Sequence, residues 1–482
     1  MHGVEEFSHK DDNSPSDGRP WYKLLNKYHW FVLVVAALGW LFDTMDQQLF
    51  NLARTPAMRE LLTVTTIEDG KSVKVLPKKE DLSWYSGIAT CVFMVGWASG
   101  GLVFGVLGDR WGRAKVMLWT ILIYSACTGL SALSVSVWDF AFYRFLTGLG
   151  VGGEFAVGIS LVAEVMPPRA RPFALGLLQA LSTVGNISAA FINISLGVVE
   201  GQGGLEGLTL FGTPLNAWRL MFVIGTLPAL LAILIRSKLK EPESWQAVKA
   251  SQGVSKELGS YASLLGDPRW RKNALAGLLM GFAGVVGLWG IGFFSFDLFE
   301  PIVRGKFEAQ GLTGKELNGK VALWIGLTSV MQNLGAFFGI YGFSYLAHYL
   351  GRKPSFAIAF IAAMLSTALV FSQLNDFSQI FWMIPLMGFC QLSLFGGYAI
   401  YFPELFPTRI RSTGTSFCYN VGRFIAAGGP LTLGGLTKYV FNEANGFEHG
   451  FRWAAVSMCS VFILGLVALP FLPETKGKAL PE

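Results

Sequence analysis

The sequence predicts an all-α membrane protein with twelve transmembrane helices in two pseudo-symmetric bundles of six, and three observations support this class. Of the 482 residues, 52% are hydrophobic and only 15% are charged, whereas about a quarter of the residues in soluble domains are charged. Apolar runs of the roughly 20 residues that cross a bilayer recur along the chain. Charged motifs of the first half also recur in the second half, about 240 residues later.

The cysteines and the lack of catalytic motifs exclude several other classes. The cysteines lie inside apolar runs without CxxC spacing, which indicates neither a disulfide framework nor a metal site. The sequence contains no Walker loop, HExxH motif or nucleophile elbow, so we expect no enzymatic activity and no cofactor. The net charge of +6 is explained by basic loops on one side of the membrane, which argues against nucleic acid as a partner. The cysteines are Cys91, Cys127, Cys390, Cys418 and Cys459.

A polar segment divides the apolar runs into two groups of six. The polar leader, residues 1–29, is predicted to be a cytoplasmic tail. The first bundle is predicted at residues 30–237, a cytoplasmic linker at 238–272, the second bundle at 273–472 and a cytoplasmic tail at 473–482. The runs centre near Ala37, Gly96, Ile123, Val151, Ser188 and Thr226, and then near Gly284, Met331, Ala363, Leu392, Phe424 and Leu464.

The distribution of Lys and Arg predicts the orientation. More than half of the 38 basic residues fall in segments that share one side of the membrane if both termini are cytoplasmic, as the positive-inside rule requires. The long polar loop from Asn51 to Leu82 is Lys-rich, but a loop of this length constrains orientation less than a short one. We therefore expect a monomeric, multi-pass protein of the cell membrane, surrounded by the lipid bilayer, with both termini in the cytoplasm.

Two motifs repeat between the halves and indicate an internal duplication. Glu164-Val-Met-Pro-Pro-Arg-Ala-Arg171 recurs as Glu404-Leu-Phe-Pro-Thr-Arg-Ile-Arg411, at an offset of 240 residues. Asp109-Arg-Trp-Gly-Arg113 recurs in a degenerate form as His348-Tyr-Leu-Gly-Arg352, at an offset of 239. Transporters built from paired halves place the substrate at the interface near the bilayer midplane and rock one half against the other.

The segment from Gly105 to Arg113 resembles the loop signature between helices 2 and 3 of the major facilitator superfamily of secondary transporters. The resemblance extends over nearly the whole chain, from Trp30 to Gly477, and implies the twelve-helix fold of that superfamily. Arg and Asp side chains in such a loop can form a cytoplasmic gate, a charge-assisted network that is made in one conformation and broken in the other. Simple positive-inside charge would explain the arginines of the loop but neither its aspartate nor its glycines. The predicted gate residues are Asp109, Arg110, Gly112, Arg113, Glu164, Arg171, Arg352, Glu404 and Arg411.

Other motifs resemble particular branches of this superfamily. The segment from Tyr143 to Glu154 is similar to helix 4 of sialate and metabolite proton symporters. The segment from Glu404 to Gly414 resembles the loop before helix 11 in those families, in aromatic-acid symporters and in organic ion transporters of animals. Pro473-Glu-Thr-Lys-Gly477 is similar to a sugar-porter motif, yet the helix 7 and helix 10 signatures of sugar porters are missing. This departure favours a carboxylate substrate over a sugar.

Helix 1 carries two acidic residues, Asp43 and Asp46, inside its apolar run. A charged side chain at mid-bilayer costs at least about 2.5 to 3.5 kcal/mol, so each needs a functional or a positional reason. The two lie three residues apart on one helix face, and a carboxyl group tuned by burial and by a neighbouring like charge suits proton coupling. Asp46 could instead lie in water at the outer mouth. Asp43 followed by Thr44 also resembles the helix 1 Asp of proton-coupled sugar symporters, whose partner is an Arg in helix 4.

Helix 4 carries the charges Arg144 and Glu154. Arg144 matches the helix 4 Arg of those symporters, so the resemblance implies that it pairs with ionised Asp43 and releases it on protonation. The alternative is that Arg144 extends to the outer surface. Glu154 lies too deep for that, and it is either a second proton site or a neutral acid that hydrogen bonds across helices.

Arg423 is a lone arginine near the middle of helix 11. Organic anion transporters and several acid symporters carry an Arg at the matching point, and the resemblance implies that it binds an anionic substrate. A guanidinium stays charged, and its fork matches the two oxygens of a carboxylate. The alternative is a permanent salt bridge with Glu154 or Asp297. Further residues predicted to line the same cavity are Gln179, Asn186, Trp289, Asn333, Gln391, Tyr398 and Asn420.

Together these patterns predict a secondary transporter that moves a small organic anion, a carboxylate, with protons by alternating access. The proton is the coupling ion, carried by Asp43 with Asp46, Arg144 and Glu154. Two alternatives remain open. One is a proton-coupled sugar or polyol symporter on the same fold, which the motif ending at Gly477 suggests. The other is a non-transporting sensor or scaffold.

Overall fold

The apolar runs fold as long helices, and the described part of the chain is all-α apart from two small hairpins. The computed structural model describes residues 20–481 except 69–70, 78, 203, 211, 252–257, 293–294, 427–431, 434 and 442–444. Within that part of the chain, ten helices are long and apolar enough to cross a membrane. The two remaining predicted spans, near Thr226 and Phe424, are shorter helices in the described residues, so the total of twelve stays a prediction.

The first half consists of long helices whose starts are set by capping side chains. Asn26 and Ser136 each accept a hydrogen bond from the backbone N–H three residues later, and that third residue bonds back to the cap. This reciprocal arrangement satisfies donors that the first helical turn leaves free. The helices are α1 (Lys27–Leu61), α2 (Lys79–Trp111), α3 (Arg113–Ser131), α4 (Val137–Val165), α5 (Arg171–Gly201), α6 (Ala217–Ile224) and α7 (Leu231–Lys238).

Two short helices occupy the predicted linker, and the second half follows. The seventh predicted span is not uniform, because its first helix continues as a π-helical turn at Gly287–Ile291. Such turns are often found at functional sites. The helices are α8 (Glu243–Ala250), α9 (Tyr261–Gly266), α10 (Pro268–Val286), α11 (Ser295–Glu308), α12 (Gly314–Tyr349), α13 (Arg352–Gln373), α14 (Ile380–Glu404), α15 (Arg411–Ala426), α16 (Gly450–Met458) and α17 (Val461–Ala468).

The polar loop predicted from Asn51 to Leu82 is shorter than expected, because helices continue into it from both sides. With 35 residues, α1 is about 52 Å long at 1.5 Å per residue. This exceeds the roughly 30 Å of the hydrocarbon core, so polar residues extend the helix beyond the membrane. Between α1 and α2 lies an antiparallel hairpin in which Val64 pairs with Val75. The strands are β1 (Val64–Glu68) and β2 (Lys71–Val75), and a second small hairpin joins β3 (Thr209–Leu210) to β4 (Thr213–Pro214).

Helix packing defines two halves and the contacts between them. In the first half, α1 packs against α5, and both α2 and α3 pack against α4. In the second half, α12 and α13 pack against α14, and α10 packs against α15 and α17. Between the halves, α5 packs against α12 and α2 packs against α15. The end of the molecule with the turn at Asp109–Arg113, helices α8 and α9 and residues 473–481 is called the linker end below, and the opposite end the hairpin end.

The turns that follow α2 and α12 have the same local structure, which extends the sequence repeat. Gly112 and Gly351 both adopt positive φ, 115° and 103°, a conformation that favours glycine. Glu241 accepts backbone N–H groups at the start of α3 at 2.7 to 3.3 Å, and Glu474 does so at the start of α13 at 2.9 and 3.0 Å. A carboxylate at this position accepts hydrogen bonds from free N–H groups, and its negative charge interacts favourably with the positive end of the helix dipole. The two halves are therefore repeats in structure as well as in sequence.

Small residues bring α2 and α15 into close contact on the linker side of the cavity described below. A Cβ atom added to Gly105 would lie 2.6 Å from the Cβ of Ser416, and one added to Gly108 would lie 3.3 Å from the hydroxyl of Ser412. The Ser416 hydroxyl donates to the carbonyl of Gly101. Small residues in this spacing allow helix backbones to approach each other. This α2–α15 seam closes the space between the halves toward the linker end.

Candidate functional site

A cavity of about 120 Å³ lies between the two halves. Its first wall comes from α1, α2 and α5, and its second wall from the π-helical turn, α12, α14 and α15. The polar lining residues are Thr44, Gln47, Gln48, Gln179, Ser182, Asn186, Ser329, Gln332, Asn333 and Arg423, and the aromatic ones are Trp40, Trp97, Trp289, Phe395 and Tyr419.

Arg423 brings a positive charge to this cavity. Its side chain is 2% exposed, and its Cζ atom lies 3.9 Å from the ring centre of Trp97 and 4.6 Å from that of Tyr419. Its Nε and Nη1 atoms have no hydrogen-bond partner. Among the described side chains, no carboxylate forms a salt bridge with it. The Glu154 carboxyl faces α1 instead, which argues against that partner.

The structure separates the residues predicted to line the cavity into two groups. Gln179 and Trp289 line it together with Arg423. Gln391 is buried and donates to the carbonyl of Gly287 at 2.8 Å, and the Tyr398 hydroxyl donates to the carbonyl of Met280 at 2.8 Å. For these two residues the predicted position is wrong, because their helix faces are turned into the second bundle.

Asn420 also lies outside the cavity wall. It is fully buried in the α2–α15 seam, where it packs against Gly101 and donates to the backbone carbonyl of Ser416 at 3.2 Å. The prediction that it lines the cavity is therefore wrong, and its role is in the contact between halves. Asn186 and Asn333 do line the cavity, and they join α5 to α12 through a 3.0 Å hydrogen bond.

Sequence reasoning did not identify the two aromatic residues that hold Arg423. Trp97 and Tyr419 lie in apolar runs, where aromatic residues usually serve packing. One signal was available, because Tyr419 precedes Arg423 by four residues and therefore lies on the same helix face. No comparable signal existed for Trp97, which reaches the site from another helix.

The ion pair of helix α4 differs from the predicted one. Arg144 lies 3.5 Å from Asp46, not from Asp43, and both side chains are fully buried. The hydroxyl of Thr128 donates to Asp46 at 2.7 Å, and Arg144 donates to Ser131 at 2.8 Å. The prediction that Arg144 pairs with Asp43 is therefore wrong in this conformation. Burial also excludes a position of Asp46 in water at the mouth.

Asp43 faces away from the cavity toward α3 and α4. Its carboxyl group lies within interaction distance of the Glu154 carboxyl and of the Tyr124 hydroxyl. All three side chains are at most 1% exposed. The sequence predicted Asp43 and Glu154 as acidic groups within the membrane, but not that they face each other.

Charged residues from both halves meet at the linker end. One Nη atom of Arg113 lies 2.9 Å from Asp109 and 3.1 Å from Glu164, and Glu164 accepts Arg411 of the second half at 2.6 Å. Asp109 also accepts the backbone N–H of Thr413 at 2.8 Å, at the start of α15. These four side chains are buried. They join the first half to the second at this end.

The remaining predicted gate residues have other contacts. Arg352 and Glu404 form a bidentate pair at 2.9 and 2.7 Å within the second half, which corresponds to Arg113 with Glu164 in the first. Arg110 donates to the carbonyl of Leu258 in the linker at 2.9 Å. Gly112 provides the turn described above. Arg171 is buried without a salt bridge among the described residues, and its nearest acceptor is the carbonyl of Met166 at 3.5 Å.

Glu474 and Tyr261 have shifted pKa values at the linker end. Burial disfavours the charged form of Glu474, but backbone N–H groups of Arg352, Lys353, Lys476 and Thr475 outweigh it and lower the pKa of Glu474. Burial raises the pKa of Tyr261, as does the negative charge of Asp109. Glu474 therefore stays ionised at neutral pH, while Tyr261 remains a neutral donor to the carbonyl of Leu102 at 2.9 Å.

Comparison with known proteins identifies relatives along almost the whole chain. The model of the sugar (and other) transporter family matches residues 31–263 and 277–480. A cis,cis-muconate transport protein of Acinetobacter baylyi is 28% identical over 81% of this chain and 85% of its own length. A niacin transporter of the same species is 26% identical over 95% and 96%. A sialic acid transporter of Escherichia coli is 28% identical over 83% and 86%.

Solved structures share the fold. The proton:xylose symporter XylE of the major facilitator superfamily superposes with a TM-score of 0.69 at 17% identity, over 94% of this chain and 98% of that one. The human organic anion transporter MFSD10 superposes with a TM-score of 0.67 at 13% identity, over 92% and 100%. At these identities the likeness concerns the fold alone.

Proposed function

The chain belongs to the sugar (and other) transporter family of the major facilitator superfamily, and from this premise we propose that it carries a small carboxylate anion together with protons. It is a multi-pass membrane transporter and not an enzyme. In the proposed cycle, the cavity between the halves opens alternately toward the two sides of the membrane, as in transporters with paired repeats.

The state of Arg423 is the observation that carries this proposal. A buried guanidinium with unsatisfied N–H groups and no counter-charge among the described side chains, which do not include that of Asp297, is costly. A carboxylate would supply two acceptor oxygens in the plane of the guanidinium fork and would also neutralise its charge. Sugar hydroxyls could accept the hydrogen bonds but would leave the charge uncompensated. The site therefore favours an anion over a neutral sugar.

The size and lining of the cavity support a small, flat acid. If each non-hydrogen atom needs the roughly 10 to 15 Å³ that one water needs, a cavity of about 120 Å³ holds about eight to twelve such atoms. The rings of Trp97, Trp289 and Tyr419 offer apolar faces for an unsaturated or cyclic acid. Muconate, niacin and sialic acid, named for three relatives, are all carboxylates at neutral pH, and the first two are of this size.

Alternating access is supported by the way the linker end is closed. The ion pairs of Glu164 with Arg113 and Arg411 and the α2–α15 seam both join the first half to the second there. Opening toward the linker end must break these contacts together, while the Arg352 pair lies within one half and can persist. Charge-assisted contacts that exist in one state only provide the required switch.

Binding and uptake by the purified protein test the proposal. Niacin or cis,cis-muconate is expected to raise the thermal unfolding temperature of the wild type, and Arg423→Gln is expected to weaken that binding at least 100-fold. Arg304→Gln is the matched control, because this arginine is 36% exposed in a pair with Glu300. In proteoliposomes, an inward proton gradient should drive accumulation of the same acid.

Three results would overturn different parts of the proposal. Stabilisation and uptake of xylose, with no effect of either acid, would establish the sugar alternative that the family description also permits. Acid uptake that ignores an imposed pH gradient would leave an anion carrier without proton coupling. Wild-type acid binding in Arg423→Gln would remove the assigned site.

A further inference from the structure

Five buried polar atoms on three helices of the first half have no hydrogen-bond partner. They are both carboxyl oxygens of Asp43 on α1, both of Glu154 on α4, and the hydroxyl oxygen of Tyr124 on α3. The Asp43 carboxyl nevertheless faces the other two groups at interaction distance. The cluster therefore contains several acceptors, and its one donor is the Tyr124 hydroxyl.

Two ionised carboxylates cannot be stable in this arrangement. Like charges in contact do not both ionise, and a buried charge without a partner costs several kcal/mol. The nearby cation, Arg144, is already paired with Asp46 and donates to Ser131. Among the described residues, the other titratable or charged groups around the cluster are Asp46 on α1, Cys127 on α3 and Arg144 on α4.

A single added proton resolves this conflict. A protonated carboxyl donates one O–H to the remaining carboxylate, so the two acids become donor and acceptor. The Tyr124 hydroxyl can then donate to the carboxylate as well. We propose that Asp43, Glu154 and Tyr124 form one proton site in which two carboxyl groups share a single proton, while Asp46 and Arg144 remain a structural ion pair. This inference rests on the proposed function, because it locates the coupling proton.

Close packing holds Glu154 against α1. A Cβ atom added to Gly39 would lie 2.3 Å from the Glu154 Oε1 atom and 3.2 Å from its Cδ. The carboxyl group thus occupies the space that the missing side chain leaves, one helical turn before Asp43. Gly39→Ala should displace the Glu154 carboxyl and separate the two acids.

A row of rings in contact connects this proton site to Arg423. Trp40, one turn before Asp43, lies 4.4 Å from Phe155, which is adjacent to Glu154. Phe155 stacks on Tyr419 at 4.3 Å, and Tyr419 lies against Arg423. An anion that binds Arg423 and shifts Tyr419 would therefore move the segment of α4 that carries Glu154. Loss of the proton leaves two carboxylates in contact, which favours a conformation that separates or hydrates them.

Infrared spectroscopy of the purified full-length protein tests the site without requiring transport. The wild type is expected to show, at neutral pH, the C=O stretch of one protonated carboxyl group. Asp43→Asn and Glu154→Gln should each lose this band, because the new amide donates a hydrogen bond to the remaining carboxylate. Asp46→Asn should keep it. Absence of the band in the wild type, or its survival in both single variants, would overturn the inference.

Tyr124→Phe separates the proposed role from a structural one. Loss of one donor to the ionised state should move the midpoint of the carboxyl band to higher pH by about one unit, since a hydrogen bond to a charged group corresponds to about that shift. Tyr143→Phe on α4, outside the cluster, is the control and should leave the midpoint unchanged. An unshifted midpoint in Tyr124→Phe would remove the tyrosine from the site.

Transport assays distinguish failure of this inference from failure of the proposed function. Glu154→Gln should lose proton-driven accumulation at least tenfold but retain exchange of labelled acid across the membrane. Wild-type accumulation in this variant would overturn the shared site alone. A wild type that shows the band but binds neither niacin nor cis,cis-muconate would contradict the proposed function and leave the proton site standing. Accumulation driven by sodium at constant pH would replace the proton by a metal cation.

Discussion

Replacing Glu164 by Gln should release the closed gate at the linker end. The Glu164 side chain is fully buried and accepts Arg113 and Arg411, which belong to different halves, at 3.1 and 2.6 Å. Glutamine has almost the same shape and keeps one acceptor oxygen, but it removes the negative charge between the two guanidinium groups. In the proposed cycle this contact exists only when the halves are closed at this end, so the substitution is expected to destabilise that conformation selectively.

The size of the effect follows from what the two arginines retain. Breaking a buried ion pair by removing one partner costs about 3 to 5 kcal/mol. Arg113 keeps Asp109 at 2.9 Å, and Arg411 keeps the carbonyls of Pro403 and Phe406. We therefore expect a smaller cost than this range, about 2 to 3 kcal/mol. At 1.4 kcal/mol per factor of ten, this shifts the equilibrium toward the open state by about 30- to 150-fold.

Distances between spin labels at the linker end measure this shift. Lys115 and Tyr349 are exposed and belong to different halves, and Cys91 is the exposed cysteine that must first become serine. In the wild type the distance between labels at Lys115 and Tyr349 should be mostly short, and in Glu164→Gln it should be mostly long. Glu300→Gln is the control, because its pair with an arginine at 2.9 Å is 36 to 41% exposed and worth at most about 1 kcal/mol. Equal distance distributions in both variants would refute the gate.

Three further substitutions probe other contacts. Gly105→Leu places a side chain against Ser416 in the α2–α15 seam, so the same spin labels should report an open linker end. Gly326→Leu is the control and should leave the label distance unchanged, because no atom lies within 4 Å of its added Cβ. Glu474→Gln should lower the unfolding temperature at pH 7. Because folding lowers the pKa of Glu474, the difference in unfolding temperature from the wild type should vanish as the pH falls through this lowered pKa. A difference that persists at low pH would contradict this. Glu60→Gln should cost about 1 kcal/mol of stability, measured by denaturant unfolding, because it weakens the 2.9 Å pair with Arg219 while uptake persists.

Repetition and charge made the gate predictable from sequence. Glu164 and Arg411 lie in copies of one motif, and opposite charges at equivalent turns of two repeated halves can meet across the interface between them. The same motifs identified Arg352 and Glu404, but their pairing within the second half was not predicted. Residue type and offset, which are properties of the linear chain, were enough to name these residues but not their partners.

Helix rotation was not predictable in the same way. Asp43 and Asp46 differ by three residues, so a rotation of about 60° decides which of them meets Arg144. Gln391 and Tyr398 failed as cavity residues for the same reason, since their types suit a binding site but their faces point into the second bundle. Rotation is set by packing against neighbouring helices, which in this protein depends on glycine contacts such as that of Gly39 with Glu154.

Two helices carry the residues of the proposed gate, the proposed proton site and the proposed anion site. On α4, Arg144, Glu154 and Glu164 follow one another at intervals of ten residues, which is about 15 Å per interval. On α15, Arg411 and Arg423 are separated by twelve residues, about 18 Å. The helices touch through the ring stack of Phe155 and Tyr419, 4.3 Å apart. Because a helix transmits displacement along its axis, an anion that shifts α15 at Arg423 is expected to shift Arg411 in the proposed gate as well. Substitution at Phe155 should therefore weaken the coupling between acid binding and gate opening without removing either site.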